Sequence, residues 1–321
     1  MSASTCGCRR ASSSRVTPVI EILRARKARG GRPPFHDGAR VALCVEGGAM
    51  RGVISAGMVS ALEHLGLTGA FDAVYGSSAG AINAAYFLAG QAALGTTIYY
   101  EDINNRRFID LLRPLRGRPI VDLAFLLDDV ATTRKRLDVD RLLASATPLT
   151  VLATDVGGRA AVALRAFRDR DHLFAALRAS ATMPVVAGPP TEYEGRPLLD
   201  ASLSEPIPLP TAEGDGCTHA LVLLTRSGGM RPHPSAFDRY FVGPRLRRLS
   251  PELAERYLAR AGPYTALMRT IDGGAGPLGR TNVTGIRVPD LRIRKLERHD
   301  AVLRAGATRG YEAVIAAFGG T

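Results

Sequence analysis

Apolar residues along this chain alternate between two rhythms. "RVALCVE" is a continuous apolar run, suited to a strand buried on both faces. "GGAMRG" follows, and "VISAGMVSALEHLG" then carries Val53, Ala56, Val59, Ala61, Leu62 and Leu65 at helical spacing. "FDAVYG" predicts a second strand and "AGAINAAYFLAG" a second helix. Strand, loop, helix, strand, turn, helix is the rhythm of a parallel α/β sheet.

Further on, residues 92–148 read as mostly helical, with "DVDRLLASA" opening at a capping residue, Asp138. "PLTVLATDV" and "GRAAVALRAF" predict two strands around a Gly-Gly turn. "DHLFAALRASATMP" predicts a helix that stops before Pro184, and "RPLLDASLSEPIPL" a strand or loop entering a proline-rich turn. "HALVLLTR" and "TGIRV" are late strands. Helical patterns in "PELAERYLARAGPYTALMRTI" and "DAVLRAGATRGYEAVIAAF" flank the second of them. No repeat of fixed period is present.

Composition changes this picture little. The 321 residues are 46% hydrophobic and 22% charged, as in ordinary globular proteins. No run reaches the ~18 apolar residues of a membrane-spanning helix. Asn83 and Gln91 interrupt the nearest candidate, "AGAINAAYFLAGQAALG". Of the net charge of +12, +7 falls within residues 1–40, so the body is only mildly basic. A basic, disordered leader is expected over residues 1–38, holding one short amphipathic helix, "PVIEILRARKARG". Such an arm suits peripheral contact with an anionic membrane surface. Without an aromatic and basic surface motif, no nucleic-acid partner is expected. Cys6, Cys8, Cys44 and Cys217 make a poor disulfide framework, and no Cys/His cluster suggests a metal. With no apolar segment of a secretory signal, a cytoplasmic setting is expected.

Two strand-to-helix junctions carry candidate chemistry. In "VYGSSAG", Ser78 stands between Gly76 and Gly80, where small residues allow the tight turn that lifts a nucleophilic hydroxyl clear of a sheet. The helix beginning near Ala79 aims its N-terminus at that site and favours negative charge there. In "EGGAMRG", Gly47 and Gly48 leave backbone N–H groups open to a ligand, as an oxyanion hole requires. A phosphate loop fits less well. Val53 and Ile54 stand where Lys and Ser/Thr belong, and Ala49 stands where a dinucleotide fingerprint needs glycine.

The pairing of a glycine loop with a Gly-x-Ser-x-Gly turn 31 residues later resembles the patatin-like phospholipase family. So does "LLDAS", which supplies Asp200 122 residues after Ser78. The block "LRASATMPVV" also looks like the segment before that family's aspartate, with Arg178, Ser180 and Pro184 in place. The resemblance covers about residues 40–210. Beyond it, "LTRSGGMRPHP", "RAGPYTALM" and "RKLERHDAVLRAG" are similar to bacterial members with a C-terminal extension.

The resemblance implies a three-layer α/β/α patatin-like fold with a mainly parallel central sheet and a C-terminal helical extension. Residues 39–212 would form the catalytic domain, and 213–321 would complete the fold. It implies a serine acyl hydrolase of lipid esters, phospholipid or lysophospholipid, working through a Ser78–Asp200 dyad without metal or organic cofactor. The amides of Gly47, Gly48, Ala49 and Met50 would hold the oxyanion. Arg51 and Gly52 would support the loop, Arg51 shaping it, meeting an anionic head group or pairing with Glu46.

Two departures stand out. Ala49 replaces the usual third glycine, and Ala201 follows Asp200 where glycine is more frequent. Ala49 still offers an N–H unless the position requires φ > 0. Asp200 also reads as the cap of a turn before "SEPIPL". A Ser-Asp-His esterase of the α/β-hydrolase type would recruit His219, His233 or His299, whereas His36, His64 and His172 read as surface or packing residues. A patatin-like domain that binds lipid or protein without catalysis is the third reading.

Overall fold

The computed structural model describes residues 17–157, 161–227 and 234–319. Their centre is an eight-stranded sheet. The strands are β1 (Val41–Val45), β2 (Ala73–Ser77), β3 (Leu149–Asp155), β4 (Ala161–Leu164), β5 (Thr191–Tyr193), β6 (Arg196–Leu199), β7 (His219–Leu224) and β8 (Asn282–Arg287). They run in the order β5-β6-β3-β2-β1-β7-β8, with β4 also paired to β3. The five strands from β3 to β8 are parallel, and β4, β5 and β6 add antiparallel pairs at one side. β7 is hydrogen-bonded directly to β1, so residues 213–321 and 39–212 share one sheet.

The unbroken apolar run of β1 has its predicted cause. Val41, Leu43 and Val45 point into one core, while Ala42 and Cys44 point into another on the opposite face. Helices α1 (Pro18–Ala28), α2 (Val53–His64), α3 (Ala79–Leu88) and α4 (Ala92–Glu101) contribute to the first core. The second is closed by the helices Leu209–Gly214 and Ala261–Asp272. Three layers result. The C-terminal helix Asp300–Ala317 lies hard against α2: a β-carbon at Gly57 would stand 2.0 Å from the Ala307 carbonyl oxygen.

Two expectations need correction. Residues 17–38 are not a disordered leader: α1 buries Val19, Ile20 and Leu23 in the main core. Its basic Arg26 is 2% exposed and paired with Asp37 and Asp72. Three apolar side chains on one helical face outweigh the charge count on the other. Residues 1–16, with Cys6 and Cys8, lie outside the described residues, as do Gly158 of the Gly-Gly turn and the stretch 228–233.

Residues 92–148 are also less helical than expected. After α4 the chain runs irregularly, with an isolated bridge between Ile109 and Val121 and a single short turn at Arg113–Arg116. Pro114, Gly117 and Pro119 break any longer helix here. A π-helical stretch at Phe125–Arg134 follows, and Asp138 caps the helix Val139–Leu143 by accepting the Arg141 N–H at 3.0 Å. No helix among the described residues is long and apolar enough to cross a membrane.

Candidate active site

The strand β2 ends at Ser77, and the helix α3 begins at Ala79. Ser78 takes the turn between them at φ 54°, ψ −127°, a conformation a side-chain-bearing residue enters only when its surroundings hold it. The Ser78 N–H donates to Ser180 Oγ at 2.8 Å, and the Ser78 carbonyl accepts the Ala81 N–H at 2.9 Å. The flanking glycines let α3 sit this close. A β-carbon at Gly76 would be 2.4 Å from Ala81 Cα, and one at Gly80 would be 2.3 Å from the Val45 carbonyl oxygen.

Asp200 leaves the end of β6 at a fixed place. Its N–H donates to the Thr182 carbonyl at 2.9 Å, and its own carbonyl accepts the Thr154 hydroxyl at 2.9 Å. The carboxylate then splits its duties. Oδ1 accepts the Ser202 N–H at 2.7 Å, and Oδ2 accepts the Ser78 hydroxyl at 2.7 Å. Asp200 therefore does both things its sequence context suggests: it caps the turn Ala201–Leu203 and reaches Ser78. Burial pushes its carboxyl above the usual carboxylate range. Hydrogen bonds from Ser202 and Ser78, and the nearby Lys295 charge, pull back less.

The glycine loop packs onto this pair. A β-carbon at Gly47 would fall 2.3 Å from the Ser77 carbonyl oxygen and 2.9 Å from Ser78 Cβ, so only glycine lets the loop approach. Gly48 lies at φ 147° and Ala49 at φ 53°. The position with the unusual alanine is thus one that does take positive φ. Among the described residues, the amides of Gly47, Gly48 and Ala49 donate to no protein acceptor. Met50 is a correction: its N–H donates to the Lys295 carbonyl at 3.2 Å and is not open to a ligand. At Gly52 a β-carbon would collide with the Tyr99 hydroxyl at 2.6 Å and with Ala79 at 2.8 Å.

Several supporting residues escaped sequence reasoning. Glu46, 1% exposed, accepts the Thr225 N–H at 2.6 Å and the Tyr264 hydroxyl at 3.0 Å, and it lies 3.5 Å from Arg226 Nε. Thr225 in turn donates its hydroxyl to the Gly47 carbonyl at 2.7 Å, fixing the loop. Arg51 is not the partner of Glu46. It is buried beside Gly48, with Nε 3.4 Å from Thr225 Oγ1. Asn83, conspicuous as the polar interruption of an apolar run, donates to the Gly52 carbonyl at 2.9 Å and accepts the Tyr99 hydroxyl at 3.1 Å. Glu46, next to the glycines, and Asn83 were the two with a visible signal. Thr225 and Lys295 are brought in by distant strands and loops.

Ser78, Asp200 and the loop open onto a cavity of about 1040 Å³, solvent at its mouth included. Its far walls are apolar, built from Ile82, Ile98, Phe108, Val121, Leu126 and Val186. Beside the dyad it turns cationic. Arg51, Arg226 and Lys295 line it, and an adjoining cavity adds Arg260. Lys295 lines both cavities and keeps an exposed surface. Desolvation there, followed by the charges of Arg51, Arg226 and Arg260, lowers its pKa to about 8.

No histidine of the described residues lines the cavity. His219 starts β7, the opposite end from Thr225 and the glycine loop, about 17 Å away along the strand. His299 is exposed and bonded to Glu297, and His172 stacks on Tyr193. His233 lies outside the described residues. Arg178 points away as well, pairing with Asp128 at the surface. Among the described residues no three His, Cys, Asp or Glu side chains gather to hold a metal ion.

Three comparisons bear on this arrangement. A family model described as patatin-like phospholipase matches residues 43–213. The uncharacterized protein YjjU of Escherichia coli strain K12 is 29% identical over 209 residues, covering 64% of this chain and 57% of its own length. The chain thus spans under two thirds of that relative. Among solved structures, VipD from Legionella pneumophila aligns with a TM-score of 0.43 and 12% identity, over 88% of this chain and 66% of VipD.

Proposed function

Because the chain belongs to the patatin-like phospholipase family, whose chemistry is lipid acyl hydrolysis, we propose that Ser78 and Asp200 are its nucleophile and base. The observation that carries this reading is the 2.7 Å hydrogen bond from Ser78 Oγ to Asp200 Oδ2, beside three open amides and an apolar cavity.

In the first step Ser78 Oγ attacks the acyl carbonyl carbon while its proton passes to Asp200 Oδ2. The oxyanion accepts hydrogen bonds from the Gly47, Gly48 and Ala49 amides, with the N-terminus of α3 adding favourable potential. Collapse of this intermediate expels the alcohol, which takes the proton back from Asp200. Water then attacks the acyl-enzyme, giving a proton to Asp200, and Asp200 returns it to Ser78 Oγ as the ester bond breaks and the fatty acid leaves. An ordinary aspartate, near pKa 3.9, is a weak base for this task. Burial strengthens Asp200 for it.

The charges support a finer substrate class. A neutral glyceride has nothing to offer Arg226 and Lys295, whereas the phosphate of a phospholipid or lysophospholipid does. The acyl chain would occupy the wall of Ile98, Phe108 and Leu126, with the phosphate toward Lys295.

The test is hydrolysis of a short-chain p-nitrophenyl ester, a lysophospholipid and a monoacylglycerol by wild type, Ser78→Ala and Lys295→Gln. The reading expects Ser78→Ala to be silent on all three, and Lys295→Gln to raise KM for the lysophospholipid alone. A wild type that cleaves none of them and resists a fluorophosphonate probe would overturn it.

A further inference from the structure

Of the eight large hydrophobic side chains exposed among the described residues, seven fall in two short segments: Leu111, Leu112 and Leu115, then Phe237, Tyr240, Phe241 and Leu249. Monomeric soluble surfaces rarely concentrate apolar side chains in this way without using them. Leu115 is 85% exposed and Tyr240 75%.

The first segment is a loop clamped at its base. The Arg113 guanidinium donates to the carbonyls of Arg106, Phe108 and Ile120, and the bridge between Ile109 and Val121 closes the neck. The three leucines are therefore held outward on a tied loop. The second segment is helical, and Phe237 stacks on Phe241 with ring centroids 5.3 Å apart.

Both segments border the candidate active site. Phe108, Ile109 and Val121, at the neck of the leucine loop, line its cavity. Phe237 lines the adjoining cavity, which shares Ala49, Val186, Lys295 and Leu296 with the first.

Charge selects the partner. Around the leucines, Arg106, Arg116 and Arg118 are exposed and have no acidic partner among the described residues. On the second segment the same holds for Arg239, Arg245 and Arg247, while its one acid, Asp238, is buried against Arg260 and Tyr257. Aliphatic and aromatic side chains interleaved with unpaired arginines match an anionic bilayer, which offers lipid phosphates over acyl chains. A nucleic acid would satisfy the arginines and leave three leucines in water.

We infer that the 106–118 loop and the 235–249 segment form a two-part docking surface for anionic lipid bilayers, seating the catalytic cavity against the membrane. The inference rests on the lipid-ester reading above. It moves membrane contact from the basic leader, where the sequence suggested it, to the rim of the site.

The experiment is co-sedimentation of the full chain, in a Ser78→Ala background, with vesicles of phosphatidylglycerol and phosphatidylcholine. The same surface variants are assayed with Ser78 intact on a monomeric p-nitrophenyl ester. Leu111→Ser/Leu112→Ser/Leu115→Ser should weaken vesicle binding on the order of 30-fold, and Tyr240→Ser/Phe241→Ser roughly tenfold. Arg116→Gln/Arg118→Gln should cost roughly fivefold per arginine at low salt, with a shallower salt dependence. Soluble-ester hydrolysis should stay at the wild-type rate in all three, showing that they are folded.

Variants that bind vesicles as tightly as the parent overturn the inference, as does a parent that binds an acidic protein or DNA but no vesicle. If vesicles are bound through these residues and no ester is cleaved, the docking surface stands and the hydrolase reading falls. If esters are cleaved and no vesicle is bound, the reverse holds.

Discussion

Two polar clusters, one around buried Arg26 and one around buried Asp200, sit at opposite ends of β1, and they treat charge in opposite ways. At the start of the strand, all five N–H donors of Arg26 are used. They meet both Asp37 oxygens, Asp72 and the carbonyls of Ala39 and Ala70, at 2.7 to 3.0 Å. Asp72 also accepts the Val41 N–H, tying the knot to the sheet. Arg26 holds the Asp37 carboxyl down at about 2. At the end of the strand, by contrast, Asp200 has no ion-pair partner among the described residues and is pushed above its usual range, and Lys295 is pushed down to about 8. Ser78 holds a strained φ of 54° and three amides stay unengaged. The first cluster is satisfied, which suits stability. The second is held away from satisfaction, which suits chemistry, because groups poised between protonation states exchange protons readily.

The largest expected effects test that division. Ser78→Ala and Asp200→Asn should each lower ester hydrolysis by ~10³-fold or more, without loss of stability in urea unfolding. Arg26→Ala should do the opposite, costing about 3 kcal/mol in stability while the folded fraction turns over normally. An Arg26 variant of wild-type stability, or an Asp200→Asn protein that still turns over, would break the comparison.

Next in size is the loop. Gly48→Ala places a side chain at φ 147° with its β-carbon 3.0 Å from the Arg51 guanidinium. Displacing the amides should cost roughly 10²-fold in kcat with little change in KM, since the oxyanion exists only along the reaction path.

The pH dependence sharpens the comparison from both sides. Asp200 must be ionised to accept a proton, so kcat/KM should fall as pH drops through its raised pKa, at a higher pH than for an ordinary aspartate. Lys295 is charged below about pH 8 and neutral above it. KM for an anionic lysophospholipid should therefore rise above about pH 8, with KM for a neutral ester flat. Parallel KM profiles for both substrates would remove Lys295 from phosphate recognition.

The smallest effect belongs to Ala49. An alanine at φ 53° costs about 1–2 kcal/mol against ordinary backbone. Glycine there relieves that strain but adds about 0.5–1 kcal/mol of chain entropy to the unfolded state. Ala49→Gly should stabilise the protein by about 0.5 kcal/mol and leave hydrolysis intact, as read from thermal unfolding and an ester assay.

Much of this molecule was legible in its sequence because the relevant signals are local. The run Val41–Val45 and the glycine-flanked Ser78 announce a doubly buried strand and a strand-to-helix turn, since each depends on a few neighbouring residues. The leader was misjudged for the converse reason. Its charge is local, whereas the burial of Val19, Ile20 and Leu23 depends on a core formed by distant strands and helices. Met50 looked like a fourth oxyanion donor because nothing nearby in sequence shows that Lys295, 245 residues later, supplies a carbonyl for its N–H.

The sequence by itself determined the strand-turn-helix units, the two glycine-bearing junctions and the order in which loop, serine and aspartate follow one another. Their chemistry is of the kind that residue type and short-range backbone freedom dictate. Tertiary structure alone decided that Asp200 Oδ2 meets Ser78 Oγ, that Glu46 and Thr225 lock the loop, and that Lys295 lines two adjoining cavities, one bordered by the neck of the leucine loop and the other by Phe237. Those contacts join residues more than a hundred positions apart, and their pKa shifts come from burial, which no stretch of sequence carries within itself.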